Sequence, residues 1–349
     1  MAQVKISELN EDTSPTANDV VPVTDVETNT TKKVKLSNIL NANNGIIKVN
    51  TPQGHMLNGK IVTSVSGGAL TVAIKTLAGN DPSASDPVYV RIGNTVRTLS
   101  SAKTWVYPAG VALFNSSSTE IQNQEVDYFV YLAWDNTFGI QAGASRVPYA
   151  RVTGDFTQAV NSEKYCDLKY NNYLGDNTEV EVVGRFNAVL SNTNQWSIPA
   201  TSVIINRPIF ETRRLLYNPQ AFASGGGFSI GNGSIEGGYS LNVRNVSVFG
   251  RFNFGSTTNI GTGQLSFTIP FQNDIGIQGL QLRTLGGGSG AAYNGNSFPL
   301  TPVTNYYNNN GGLMLATPNT ANSGFLGVSN PFTWAASNYA GWGWSYDLI

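Results

Sequence analysis

Punctuation constrains this chain more than any other feature. From about Ile47 to Pro208, runs rich in Val, Ile, Thr and Tyr are cut short by Gly, Asn, Asp or Pro: "GKIVTSVSG", "ALTVAIKTL", "PVYVRIG", "NTVRTLS" and "KTWVYPAGVALF" follow one another in this way. A stable helix needs an apolar stripe of period 3.6 sustained over several turns, and no stretch here supplies one. Short β-branched and aromatic runs bounded by turn residues are strands. "EVDYFVYLAW" and "IQAGASRVPYARV" meet across the turn "DNTFG", and "TEVEVVGRFNAVL" followed by "QWSIPA" closes the series. Such spacing predicts an all-β chain of antiparallel sheets, folded as a sandwich or barrel rather than as parallel β/α units.

Composition sharpens that expectation. Charged residues are only 12% of the chain, where a soluble domain usually carries about 25%. Asn, Ser, Thr and 37 glycines take their place, and these favour turns and solvated strands over helices. With 11% aromatic residues there is ample surface to bury, so the chain is not disordered. Its 349 residues exceed one ordinary core, and three segments are expected: 1–50, 51–212 and 213–349.

The first segment differs from the rest. "VVPVTDV" and "KKVKLS" alternate apolar and polar residues around "ETNTT", the pattern of a small hairpin. "LSNILNANNG" then reads as one or two helical turns, capped by Ser37 and stopped by Asn-Asn-Gly. So few large apolar side chains cannot hold a core of their own. The segment needs a partner surface or copies of itself.

"SVIINRPIFETRRLLYNPQAF" joins the second and third segments and carries the adjacent arginines Arg213 and Arg214. The third is glycine-rich and writes one phrase a second time: "VVGRFN" at Val182–Asn187 returns as "VFGRFN" at Val248–Asn253. A later "SIP" (Ser197–Pro199) or "TIP" (Thr268–Pro270) follows each copy. Each reads as a hairpin whose second strand stops at proline. The pair is either a duplicated β unit or independent use of one strand pattern. The aromatic end "PFTWAASNYAGWGWSYDLI" offers Trp334, Tyr339, Trp342, Trp344 and Tyr346. Flat side chains with a polar handle stack on sugars or anchor protein contacts. Alternation places Trp342 and Trp344 on one strand face, which fills either a core or a subunit contact.

Little in the sequence points to catalysis. His55 is the single histidine and Cys166 the single cysteine. That excludes an internal disulfide and a cysteine-based metal cluster, and leaves Cys166 as a small buried apolar residue. No nucleophile elbow accompanies His55. "GGGFSIGNG" and "GGGSG" are glycine-rich loops, because neither lies between a buried strand and a helix as a phosphate cradle must. The richest carboxylate set is Asp127, Asp135, Asp155, Glu163, Asp167, Asp176, Glu179 and Glu181. Glycoside cleavage needs two carboxylates, but Glu179 and Glu181 share a strand face and read as its solvated side. No cofactor or metal site is expected. The net charge of −1 provides no basic face for nucleic acid. No run is long enough to insert in a membrane, and the N-terminus lacks the apolar core of a secretory signal.

Three stretches carry a resemblance. "KISELNEDTSPTANDVVPVTDVETNTTKKVKLSNIL" resembles the start of many bacteriophage fibre and tail proteins, through Ile6–Leu9, Asp19–Val23 and Thr31–Leu36. "TLAGNDPSASDPVYVRIGNTVRTL", "EVDYFVYLAWD", "RVPYARVTGDF" and "INRPIFETRR" resemble a segment common in virion proteins of environmental phages. From "LLYNP" through "VSVFGRFNFGSTTNIGTGQLSFTIPF" the chain is similar to β-sandwich end domains of tail fibres. The resemblance implies a virion fibre protein that is not an enzyme, a homotrimer of jelly-roll-like β-sandwiches behind an N-terminal hairpin and helix anchor. Ile6, Leu9, Val21, Val23, Val34 and Leu36 would attach it to other virion proteins of baseplate, tail or head. The C-terminal domain, with Trp334, Tyr339, Trp342, Trp344 and Tyr346 as receptor or trimer contacts, would meet a glycan or protein of the host surface. Two alternatives stand beside this: a head fibre, capsid decoration or tail adaptor without a receptor site, and a polysaccharide depolymerase.

Overall fold

The structure is a computed structural model. It describes residues 16–35 (except 17, 26 and 28–29), 51–110, 121–136, 139–148, 166–167, 179–271, 288–307, 310–317 and 324–347. Among the described residues every regular element is a strand, and the named ladders are antiparallel.

The first two strands, β1 (Val20–Asp25) and β2 (Thr30–Lys35), form the expected hairpin. The helical turns expected after it lie outside the described residues. The next six strands are β3 (Met56–Leu57), β4 (Gly59–Ser66), β5 (Ala69–Thr76), β6 (Val88–Ile92), β7 (Thr95–Leu99) and β8 (Lys103–Tyr107). They make two three-stranded sheets, ordered β3-β6-β7 and β4-β5-β8. A five-stranded sheet follows, β11-β10-β9-β12-β13. Its members are β9 (Glu125–Asp135), β10 (Gly139–Ser145), β11 (Cys166–Asp167), β12 (Glu179–Leu190) and β13 (Trp196–Ser197).

Both faces of that sheet are covered. Along β9, Val126, Tyr128, Val130 and Leu132 enter one core with Ile61, Val72, Val90 and Trp105 of the two small sheets. Phe129, Tyr131 and Ala133, on the opposite face, enter a second core with Leu215, Tyr239, Val248 and Phe271. This is why "YFVYLA" reads as an unbroken apolar run rather than an alternating one.

The ten remaining strands of the described residues form one sheet. In chain order its strands are β14 (Leu215–Tyr217), β15 (Ala221–Ala223), β16 (Ser234–Asn242), β17 (Asn245–Asn253), β18 (Leu265–Thr268), β19 (Gly288–Tyr293), β20 (Ser297–Tyr307), β21 (Asn310–Thr317), β22 (Gly324–Phe325) and β23 (Tyr339–Asp347). In space the order is β14-β16-β17-β23-β19-β20-β21-β18-β15, with β22 on β21. The last strand of the sequence therefore sits between β17 and β19.

The twin phrases are used in two different ways. In the first copy β12 turns back into β13, with Leu190 opposite Trp196, as a hairpin. In the second copy β17 pairs with β16 and β23, whereas β18 pairs with β15 and β21, so β17 and β18 form no hairpin with each other. The glycines differ as well. Gly184 follows a bulge, and a Cβ there would lie 2.3 Å from the Ile205 carbonyl oxygen of the joining segment. Gly250 instead makes room for the Trp342 indole, 2.3 Å from its Cβ position. Arg185 is buried, while Arg251 is exposed. The six residues share a strand pattern without sharing a topology.

Candidate functional site

The residues expected at the attachment end can be placed in part. Val21 faces Val34 across the β1–β2 hairpin and both are half-buried; Val23 faces Lys32 and is exposed. Val20 beside them is 49% exposed. Ile6, Leu9 and Leu36 lie outside the described residues.

The aromatic end divides by strand parity. Ala340, Trp342, Trp344 and Tyr346 turn inward from β23 and are buried in the second core. Trp342 packs on Phe267 with ring centroids 4.4 Å apart, and Trp344 stacks on Tyr346 at 4.6 Å. Trp342, Trp344 and Tyr346 are thus occupied inside their own chain, because the alternating face that carries them is the core side of the sheet. Their placement follows the core alternative of the sequence reading, not the contact one. Trp334 and Tyr339 keep part of their surface. Trp334 stacks on Phe254 at 4.4 Å and donates its indole N–H to the Gly327 carbonyl at 2.9 Å. Tyr339 stacks on Tyr293 at 5.2 Å.

Of the carboxylates, Asp127 is in the most unusual position. It is 1% exposed, in the middle of β9. Arg213 reaches it with its backbone N–H (2.9 Å), Nε (3.1 Å) and Nη2 (2.7 Å). The buried Arg185 of β12 approaches it at 3.2 Å and donates to the Glu211 carbonyl. Arg213 also binds Glu125 at 2.6 Å, and Asn187 donates to the same carboxylate. Burial pulls the Arg185 guanidinium below its ordinary value, with Asp127 acting in the opposite sense. Burial acts the same way on Arg213, but hydrogen bonds to Asp127 and Glu125 outweigh it and raise that group. The backbone of the joining segment is tied in nearby. Arg185 and Ile205 exchange two hydrogen bonds (3.0 and 2.8 Å), and Val203 donates to the Asn187 side chain at 2.7 Å. This cluster locks the joining segment across the five-stranded sheet. Both Asp127 oxygens and Glu125 Oε1 are turned toward a cation or an amide, and Glu125 Oε2 accepts from the Thr201 hydroxyl at 3.2 Å, which suits holding the chain together rather than acid–base chemistry.

Among the described residues no second group of carboxylates converges. Asp155, Glu163 and Asp176 lie outside the described residues, and Asp135 and Glu181 are half-buried on separate strands. His55 lies with Nδ1 3.3 Å from the Gln53 carbonyl oxygen. Among the described residues no three His, Cys, Asp or Glu side chains are placed to share a metal ion, and no helix is long and apolar enough to cross a membrane.

The feature that the sequence reading missed is the outer face of the ten-stranded sheet. The register sets side chains there in rows: Ser240, Ser247 and Ser345; then Leu216, Gly238, Phe249, Gly343 and Ser289; then Glu236, Arg251, Gly341 and Ala291; then Ser234, Asn253, Tyr339 and Tyr293. From β16 to β19 the face spans about 14 Å, given strand spacings of about 4.8 Å. Arg214 lies 3.8 Å over the Phe249 ring, and Arg251 4.2 Å over the Tyr339 ring. Among the described residues neither arginine is ion-paired; Arg251 bonds the Asn253 amide oxygen at 2.7 Å. A cleft of about 420 Å³ opens here, lined by Arg214, Ser240, Ser247, Phe249, Gly343 and Ser345 together with parts of Val248 and Trp344. The Ser247 and Ser345 hydroxyls lie 3.0 Å apart on its floor.

A sequence signal for this face existed in the phase of "YAGWGWSYD" and "NVSVFGRFN". Once the Trp and Val set points inward, Gly341, Gly343, Ser345, Ser247, Phe249 and Arg251 must point outward. Hydroxyls, a guanidinium and a flat ring over a low floor can bind a polar ligand by hydrogen bonding and stacking. No protein-family model matches the chain, and a search of the curated proteins finds no similar sequence.

Proposed function

We propose that this chain is a structural fibre protein of a bacteriophage virion, attached to the particle through residues 1–50 and meeting the host surface with its C-terminal sheet. In this reading it works as a homotrimer, with residues 51–212 and 213–349 as successive β-sandwich domains. The observation that carries it is the β1–β2 hairpin. Its strands pair with each other, yet Val20 and Val23 remain exposed, and an isolated two-stranded hairpin is marginal in water. A hairpin that leaves its valines uncovered gains most of its stability from a foreign surface or from neighbouring copies. The resemblance of its sequence to fibre starts supports the particle as that surface. The exposed polar face at the other end of the chain has the chemistry of a receptor contact.

The test is deletion of residues 1–45 in the phage that encodes the chain. The shortened protein is expected to stay soluble and β-folded by circular dichroism while disappearing from purified particles. Normal incorporation would defeat the attachment role. Sedimentation of the full chain should give the mass of three copies, and antibody labelling in electron microscopy should mark the particle's tail.

A further inference from the structure

Glycine inside a strand weakens it, and its presence there often marks a bulge, a bend or a place where another backbone or a ligand comes close. Most glycines of this sheet have a reason within the chain. A Cβ on Gly238 would strike the Phe249 ring at 2.0 Å, and one on Gly288 would lie 2.5 Å from the Gly343 carbonyl oxygen. Gly343 has no such reason: a Cβ there meets nothing within 4 Å. Gly341, next on the same outward face, would meet only the Gly250 carbonyl oxygen, at an ordinary 3.7 Å. The Phe249 ring lies over Gly238 on one flank, leaving the Gly343 floor uncovered on the other.

Around that floor the chemistry is specific. Arg214 is the single charged residue lining the cleft, and no carboxylate among the described residues neutralises it. Its guanidinium is already held by the Phe249 ring, so little freedom is lost when it binds. Hydroxyls of Ser240, Ser247 and Ser345 stand in register beside it. Glu236, opposite Arg251, lies outside the cleft lining. A ligand that fits carries a carboxylate for the arginine fork, hydroxyls for the serines, and a flat unbranched face to lie over Gly343. We infer that this cleft binds an acidic sugar residue of an oligosaccharide, its carboxylate on Arg214 and its ring over Gly343. The inference rests on the host-facing role proposed above for where such a sugar is encountered.

Titration calorimetry of the full chain with oligogalacturonate, against malto-oligosaccharide of equal length, tests it. Oligogalacturonate is expected to bind saturably and the neutral sugar at least about tenfold more weakly, the difference of one charge-assisted contact. Gly343→Val fills the floor with a residue that strands favour. It should abolish binding while leaving the melting curve unchanged. Arg214→Gln should bring the acidic sugar down to the neutral level. Equal binding of both sugars, binding untouched by Gly343→Val, or no binding of either would overturn the inference. So would Gly343→Val splitting an oligomer, since the face would then be an interface between copies. Particle labelling reports separately: labelled particles without sugar binding overturn this inference alone, and sugar binding without labelling removes the fibre reading alone.

Discussion

Asp127→Ala is expected to lower unfolding stability by about 3–5 kcal/mol, the cost of leaving a buried charge without its partner. Arg185 is 4% exposed and has no water to turn to when its countercharge is removed. Arg213 is half-buried and retains Glu125, so the loss falls mainly on Arg185. The converse substitution should be milder. In Arg185→Met the Asp127 carboxylate is still held by three donors of Arg213, and the methionine fills most of the vacated volume. Urea titrations of both variants decide the matter. A cost for Asp127→Ala below that of Arg185→Met would show that the joining segment is held by its backbone bonds to Ile205 and Val203 rather than by the ion pairs.

Trp342→Ala should be the most damaging change in the C-terminal sheet, at about 3–5 kcal/mol for a large aromatic removed from a packed core. The vacated space borders Phe267 and the bare Gly250, neither of which can grow to fill it. Trp342→Phe makes the comparison informative. The indole N–H of Trp342 is buried without an acceptor among the described residues, and an unmet buried donor carries its own penalty of about 1–3 kcal/mol. Phenylalanine keeps most of the ring and drops the donor, so it should cost far less than alanine. Thermal unfolding followed by near-ultraviolet dichroism distinguishes the two. If both variants melt with the parent, the residue is not in the core.

Local grammar made much of the fold legible. The β1–β2 hairpin, the ladder from β4 to β5 and the turn between β9 and β10 fall where alternation and turn residues put them, since each pairing is with the next strand. What sequence could not supply was partnership at a distance. β17 finds β23 some ninety positions later, and nothing in "VFGRFN" distinguishes it from "VVGRFN", whose neighbour is the next strand. Asp127 looked like any strand carboxylate, and only the two arginines arriving from β12 and the joining segment make it structural. The outer face was hidden for a related reason. Gly238 and Gly343 are the same letter, and only the position of the Phe249 ring reveals that one glycine is crowded and the other bare.

The place of β23 sets an order on the protein's making. The strand that finishes the sheet is the one that must lie in its middle, so β16, β17 and β19 emerge from the ribosome with a slot between them that stays vacant until residue 347 is free. Through that interval two long edges, on β17 and β19, offer unpaired amides and carbonyls to any passing chain. Translation that stalls short of residue 339 therefore yields a product with a split sheet, not a shorter version of the same fold, and such fragments are expected to aggregate.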